Sequence, residues 1–274
     1  MVTGVFYHPS FSRRSYLTLG TRLKDFPEAF EELKGQNFRL IISPPVETEL
    51  ILKVHTEDHL KGVEQDSLCS TAWHSAGGVV KAAEMVYSGE LRNAFCYIGA
   101  GGHHASRDYF WGYCCFNDVI LAIRNLYDKF GRIRIAIIDT DAHHGDGTRQ
   151  LVELLNFNIL HFCLCGNDYT SKDGLKVDVS YFSHDYFNAI EMFSGRVEEF
   201  KPEMIFWYFG HDTHVGEYGD VGLTVSDYTK TARRLKDLAE NLCSGKLVVV
   251  LGGGSIPKIA RESTLAIIKE LFKK

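Results

Sequence analysis

Ile133-Arg-Ile-Ala-Ile-Ile138-Asp139-Thr-Asp141-Ala-His143-His144-Gly145-Asp146-Gly147-Thr148 is the stretch on which the fold turns. Its first half is a run of branched apolar residues, the pattern of a strand covered on both faces of a parallel sheet. Its second half changes abruptly to carboxylates, imidazoles and glycines. Working outward, similar apolar runs cover residues 4–7, 39–43, 93–99, 158–164, 204–210 and 246–251. Periodic segments lie between them. Val225, Tyr228, Thr231, Ala232, Leu235, Leu238, Ala239 and Leu242 recur at helical spacing and predict one apolar stripe over 225–243. Phe116, Val119, Ile120, Ile123, Leu126, Tyr127 and Phe130 repeat the pattern, with Gly131 placed as a C-cap. Residues 70–87, 187–200 and 258–272 complete the helical set. Strand and helix alternate along the whole length, which predicts a single α/β domain over residues 1–274. Its central sheet is mostly parallel and flanked by helices in three layers. In such sheets ligands bind at the carboxyl ends of the strands, so the residues just after each strand carry the chemistry.

Four strands end in unusual sequences. Ala100-Gly101-Gly102-His103-His104-Ala105 follows one, and Gly210-His211-Asp212-Thr213-His214 another. Leu251-Gly252-Gly253-Gly254-Ser255 follows a third, and the opening stretch supplies the fourth. Asp141 and His143 are two apart, so on an extended strand end they face the same side. Asp212 at a neighbouring strand end can meet them. One imidazole nitrogen and two carboxylate oxygens suit Zn²⁺ with a fourth position open to water, the catalytic type of site. Such a water needs a general base, and His103 and His104 are the obvious pair. Asp139 and Asp146 then read as the carboxylates that orient those imidazoles.

Composition limits the alternatives. With Lys plus Arg at 30 against 35 Asp plus Glu, the net charge is −5, which gives no basic face for direct nucleic-acid binding. A 45% hydrophobic content excludes a disordered chain. No apolar run approaches the roughly 20 residues that span a bilayer, and the first seven residues lack the pattern of a signal peptide. The seven cysteines are odd in number and form no CxxC pair, so the reading is a cytoplasmic protein without a disulfide framework or a metal cage of its own. Cys163 and Cys165 read as core packing. His8, His55, His59, His74, His161 and His184 stand alone and read as structural, and the charged stretch 24–34 reads as a solvated helix face.

Taken together, Gly101-Gly102-His103-His104-Ala105, Phe116-Asn117-Asp118, the 139–147 motif and Gly210-His211-Asp212-Thr213-His214 resemble the zinc-dependent histone deacetylase and acetylpolyamine amidohydrolase superfamily. Leu223-Thr224, Asp227-Tyr228, the Gly252–Gly254 loop and Tyr7-His8-Pro9 recur in the same order. The resemblance implies the arginase/deacetylase fold. It also implies hydrolysis of an acyl-amide on a lysine side chain or a small amine such as a polyamine. By its pattern Asp141, His143 and Asp212 are the zinc ligands and His103 and His104 the catalytic pair, with His104 the proton shuttle. Asp139 partners His103 and also matches a structural potassium site, while Asp146 partners His104. Gly112 and Tyr113 match the lining of the acyl tunnel. Gly253, Gly254, Ser255 and His211 fall at substrate-contacting positions.

One departure from the pattern bears on activity. The family places a tyrosine directly after the glycine loop, where its hydroxyl stabilises the developing oxyanion, and here Ser255 stands there. A serine hydroxyl is too close to the backbone to reach the same point, and loss of one such donor costs roughly 10²–10³ in rate. Either another donor substitutes, with Tyr169 and Tyr218 in candidate mouth loops, or the chain is a weakened or inactive binder of acylated ligands. A third reading, a binuclear manganese ureohydrolase, lacks the carboxylate it would want at Gly145. The substrate's acyl group and the oligomeric state have no signature in the sequence.

Overall fold

The computed structural model describes residues 2–13, 22–180 and 185–273. His184 and the first and last residues of the expected domain lie outside the described residues. The strands are β1 (Thr3–Tyr7), β2 (Phe38–Ile42), β3 (Asn93–Cys96), β4 (Ile135–Asp139), β5 (Ile159–Cys165), β6 (Tyr169–Thr170), β7 (Lys176–Ser180), β8 (Met204–Phe209) and β9 (Leu247–Leu251). The helices are α1 (Thr48–Leu52), α2 (Glu57–Gln65), α3 (Ala72–Tyr87), α4 (Asp118–Phe130), α5 (Asp146–Leu154), α6 (Tyr186–Phe200), α7 (Val225–Cys243) and α8 (Pro257–Phe272). Their order along the chain makes one α/β domain around a nine-stranded sheet, β2-β1-β3-β9-β8-β4-β5-β7-β6. Every pairing is parallel except β6 with β7.

The continuous apolar runs follow from burial on both faces. Ile138, Phe162, Trp207 and Val249 point into one core layer with α6, α7 and α8. Ile137, Ile159, Phe206 and Val248 point into the other, with α3 and α4. Alternation along the central strands therefore feeds two cores, whereas the edge strands β2 and β6 are largely exposed. The caps follow the expected chemistry. The Asn117 side chain accepts from the Ile120 amide to start α4, and Gly131, at φ 81°, ends it. A Thr224–Asp227 capping box starts α7.

Some expectations need correction. The strand expected to reach residue 99 ends at Cys96, where the chain leaves the sheet toward the His103–His104 loop. β6 and β7 were not foreseen, because Lys176-Val-Asp-Val-Ser180 is half polar and short. The stretch 24–34 is not merely a solvated face, since Glu28–Leu33 is a 3₁₀ helix that buries Ala29, Phe30 and Leu33. The cysteines are not all free: Cys69 and Cys115 are joined in a disulfide, their Cα atoms 5.9 Å apart. Cys69 precedes α3 and Cys115 precedes α4, and packing of α3 on α4 brings together two residues whose 46-residue separation carries no local signal. Among the described residues, no helix is long and apolar enough to cross a membrane.

Parallel pairing puts the carboxyl ends of β3, β9, β8 and β4 side by side on one edge. The four unusual sequences follow these four strands, so sheet order alone assembles them.

Candidate active site

Asp141 follows β4 and Asp212 follows β8, the strand beside it. His143 Nδ1 lies 3.1 Å from Asp141 Oδ1 and 3.1 Å from Asp212 Oδ2. One ligand atom from each of the three falls within 4.8 Å of the others. The two carboxylates are buried, whereas the His143 side chain is 43% exposed and faces the opening. Burial disfavours the Asp141 carboxylate, but the charge of His103 and the bond to His143 hold it well below the usual range. Burial and the charge of Asp141 push Asp212 up to about 7. The bonds to Asp141 and Asp212 raise His143 to about 10. Two buried carboxylates this close are short of positive charge, which a divalent ion supplies.

The donor set fits such an ion on steric grounds as well. The Gly253 amide donates to Asp141 Oδ2 at 2.6 Å. A Cβ there would meet Asp141 Oδ2 and Asp212 Oδ2 at 2.7 Å each, so the β9 loop can close over the carboxylates only with glycine at this position.

The paired histidines hang from the loop after β3. His103 Nδ1 lies 2.7 Å from Asp139 Oδ2, and His104 Nδ1 lies 2.7 Å from Asp146 Oδ1. With each Nδ1 turned to a carboxylate, each Nε2 is left for the cavity. Asn117 fixes this loop against α5, its amide donating to Ala105 O at 3.1 Å and to Thr148 Oγ1 at 2.9 Å. Burial works against charge on His103, yet Asp139 and Asp141 raise it to about 9. Burial and the charge of His103 lower His104. Neighbouring imidazoles with divergent proton affinities are the arrangement an acid–base pair needs. Asp146 is the first residue of α5 and not its cap, a place where a carboxylate gains from the helix dipole.

His103, His104, Asp141 and His143 line a cavity of about 350 Å³ together with Gly112, Tyr113, Gly253 and residues that sequence reasoning missed. Trp111 lies over His104 with ring centroids 3.9 Å apart and donates from Nε1 to Asp146 Oδ2 at 3.0 Å. Tyr208 stacks on His103 at 4.6 Å. The aromatic run Tyr109-Phe-Trp-Gly-Tyr113 was the available signal for the first. Nothing in the apolar β8 distinguished the second.

Three expected contacts are not cavity-lining. Ser255 donates from Oγ to Glu217 Oε2 at 2.8 Å, and the Ser255 and Ile256 amides also point to the Glu217 carboxylate. His211 is fully buried with Nδ1 3.0 Å from Glu217 Oε1. Gly254 does not line the cavity itself, and its amide donates to Tyr218 Oη at 2.9 Å. The physical reason is Glu217, a buried anion that gathers the loop's donors behind the cavity wall. Of the two mouth tyrosines, Tyr218 lines the cavity. Tyr169 sits on β6 under the Arg149 guanidinium and does not.

A model of the histone deacetylase domain matches residues 64–162 and 166–271. The chain belongs to the histone deacetylase domain family. A probable deacetylase of Archaeoglobus fulgidus is 29% identical over 93% of this chain and 81% of its own length. The acetoin utilization protein AcuC of Staphylococcus xylosus is 26% identical over 91% and 77%. The crystal structure of the HDA15 HD domain aligns with a TM-score of 0.87 at 22% identity, covering 99% of this chain and 89% of that one, which establishes the shared fold. Family membership supports hydrolysis of the deacetylase type and a general dependence on metal.

Proposed function

We propose that the chain is a zinc-dependent amidohydrolase that removes an acyl group from a lysine side chain or a small amine. The observation that carries this reading is the convergence of Asp141, His143 and Asp212 beside two carboxylate-backed histidines. A zinc ion held by these three residues would act as a Lewis acid and lower the pKa of a water toward ~7.

The remaining chemistry belongs to the side chains. His104, the less basic of the pair, offers Nε2 to take a proton from the attacking water and pass it to the departing amine, while the more basic His103 keeps its positive charge beside it. Asp139 and Asp146 engage the Nδ1 of each ring and so direct each Nε2 to the cavity. Trp111, Tyr113, Tyr208 and Tyr218 give apolar walls that suit the methylene stem of a lysine or polyamine and exclude water.

Tyr218 supplies the oxyanion donor that Ser255 cannot. Its oxygen accepts from Gly254, leaving its own hydrogen for a substrate carbonyl. Partial burial and the charges of Asp212 and Asp141 raise its pKa, so the phenol stays protonated and able to donate. The reading of a degenerate site rested on the missing tyrosine, and a phenol beside the same loop removes that motive. Zinc is the ion assigned here. In this reading Asp139 serves His103, and a structural potassium ion beside Asp139 stays part of what the resemblance implies.

Dialysis against a chelator is expected to abolish hydrolysis of acyl-lysine peptides or acylpolyamines, and added zinc to restore it. Absence of turnover across both panels by fully zinc-loaded protein refutes the proposal.

A further inference from the structure

A second group of ligating side chains lies outside the cavity. β4, β5 and β7 are adjacent, and Asp139, Cys163 and Asp178 are registered neighbours across them. Cys165, two residues on, shares the face of Cys163. His143 turns toward Asp212, but His144 turns the other way. Its Nδ1 lies 3.4 Å from Cys165 Sγ and 3.7 Å from Asp178 Oδ1. One donor atom from each of His144, Cys163, Cys165 and Asp178 lies within 4.8 Å of the rest. Both cysteines are free and buried, Asp178 is buried, and the His144 side chain is 30% exposed.

We propose that His144, Cys163, Cys165 and Asp178 form a structural zinc site separate from the Asp141, His143 and Asp212 set. This departs from the expectation that the cysteines offer no metal cage. Two sulfurs, an imidazole nitrogen and a carboxylate oxygen make a four-ligand set, the closed type that leaves no position for substrate. With Zn–S near 2.3 Å and Zn–N or Zn–O near 2.0–2.2 Å, tetrahedral ligand atoms stand roughly 3.3–3.8 Å apart. The 3.4 Å between His144 Nδ1 and Cys165 Sγ is close to that spacing, and the 3.7 Å between Nδ1 and Asp178 Oδ1 has roughly 0.2–0.3 Å to close on an ion. Sulfur ligands select against a hard ion such as potassium. Binding releases the two thiol protons, so the ion faces two thiolates and one carboxylate. The surplus negative charge is met by Arg149, whose guanidinium donates to both oxygens of Asp178 while its Nε donates to His161. The partly exposed His144 marks the entry side. A metal here ties the residue after His143 to β5 and β7 and so steadies the segment that carries His143 and Asp146.

The test reads metal content and its ligands, not hydrolysis, so it is independent of the proposed activity. Zinc-loaded wild type is expected to hold about two equivalents per chain, and the Cys163→Ser/Cys165→Ser double variant about one. The Asp212→Ala protein, with the cavity set broken and every cysteine in place, is expected to keep the other equivalent. X-ray absorption at its zinc edge should find about two sulfur neighbours, more than the cavity's Cys114 can provide. Cobalt substitution should give a thiolate charge-transfer band in the same protein. A zinc environment of nitrogen and oxygen alone in Asp212→Ala overturns the proposal, as does unchanged metal content in a folded double variant. If the double variant does not fold, the sulfur count in Asp212→Ala decides.

Discussion

Replacing Tyr218 with phenylalanine separates the catalytic reading of that residue from a structural one, because the two predict different magnitudes. Tyr218 makes a 2.9 Å bond with the Gly254 amide, and the residue is 52% exposed. Water can replace the lost acceptor, so the stability cost is expected to be at most ~1 kcal/mol. The ring remains, and with it the apolar wall and its position 5.7 Å from the His143 ring. If the phenol donates to the acyl oxygen as charge develops, its loss costs roughly 10²–10³ in kcat, or about 2.7–4 kcal/mol of transition-state stabilisation. The bond strengthens only in the transition state, so KM should barely move. The assay is initial rates on whichever acyl-lysine peptide or acylpolyamine the wild type hydrolyses, with zinc content and a urea unfolding curve measured on the same preparations. Tyr169→Phe, on β6 away from the cavity, and Ser255→Ala, whose hydroxyl faces Glu217, serve as controls and should keep their rates. A Tyr218→Phe protein with full zinc and wild-type kcat refutes the argument. So does a loss of rate that merely tracks a loss of zinc.

Other perturbations follow from the same geometry. His104→Ala is expected to lower kcat by roughly 10²–10⁴ with zinc content unchanged, checked by rate and elemental analysis together; retained activity would remove the shuttle from that residue. Gly253→Ala forces a Cβ against both carboxylates of the cavity set, and competition with a chelator should show zinc affinity reduced by roughly 10–100-fold. Glu217 tests acid stability. Burial opposes its charge, but His211 and the Ile256 and Ser255 donors outweigh it and hold the carboxyl at about 2, down from 4.5. A depressed folded pKa stabilises above the unfolded value and loses that contribution as pH falls through the folded one. The wild type should therefore exceed Glu217→Gln by on the order of 2 kcal/mol near neutrality, and the lead should fade between about pH 4.5 and 2. A gap independent of pH in urea titrations would contradict the assignment.

Much of this molecule was legible in one dimension. Alternating apolar runs and helical stripes specify an α/β sheet because burial on two faces leaves a continuous mark in each strand. The expected α7 coincides with the observed Val225–Cys243 helix, since its stripe and capping residues are local. The residues of the candidate site were legible for a related reason. In a parallel sheet every strand ends on the same edge, so motifs far apart in the chain meet once the strands do, and Asp141, His143, Asp212, His103 and His104 needed no further information to be grouped.

What tertiary structure alone decided lies in contacts between loops, which have no period. Glu217 draws Ser255 and His211 behind the cavity wall, and Tyr218, its neighbour, is thereby set against Gly254 from 36 residues away. Trp111 reaches Asp146 only because the loop before α4 folds back over His104. Cys69 and Cys115 pair through the packing of two helices. His144, Cys163, Cys165 and Asp178 come together because β5 lies between β4 and β7 in a particular register. Residue types and strand ends are written in the sequence, whereas strand order, register and the direction a loop side chain takes emerge only when the sheet closes its pairings.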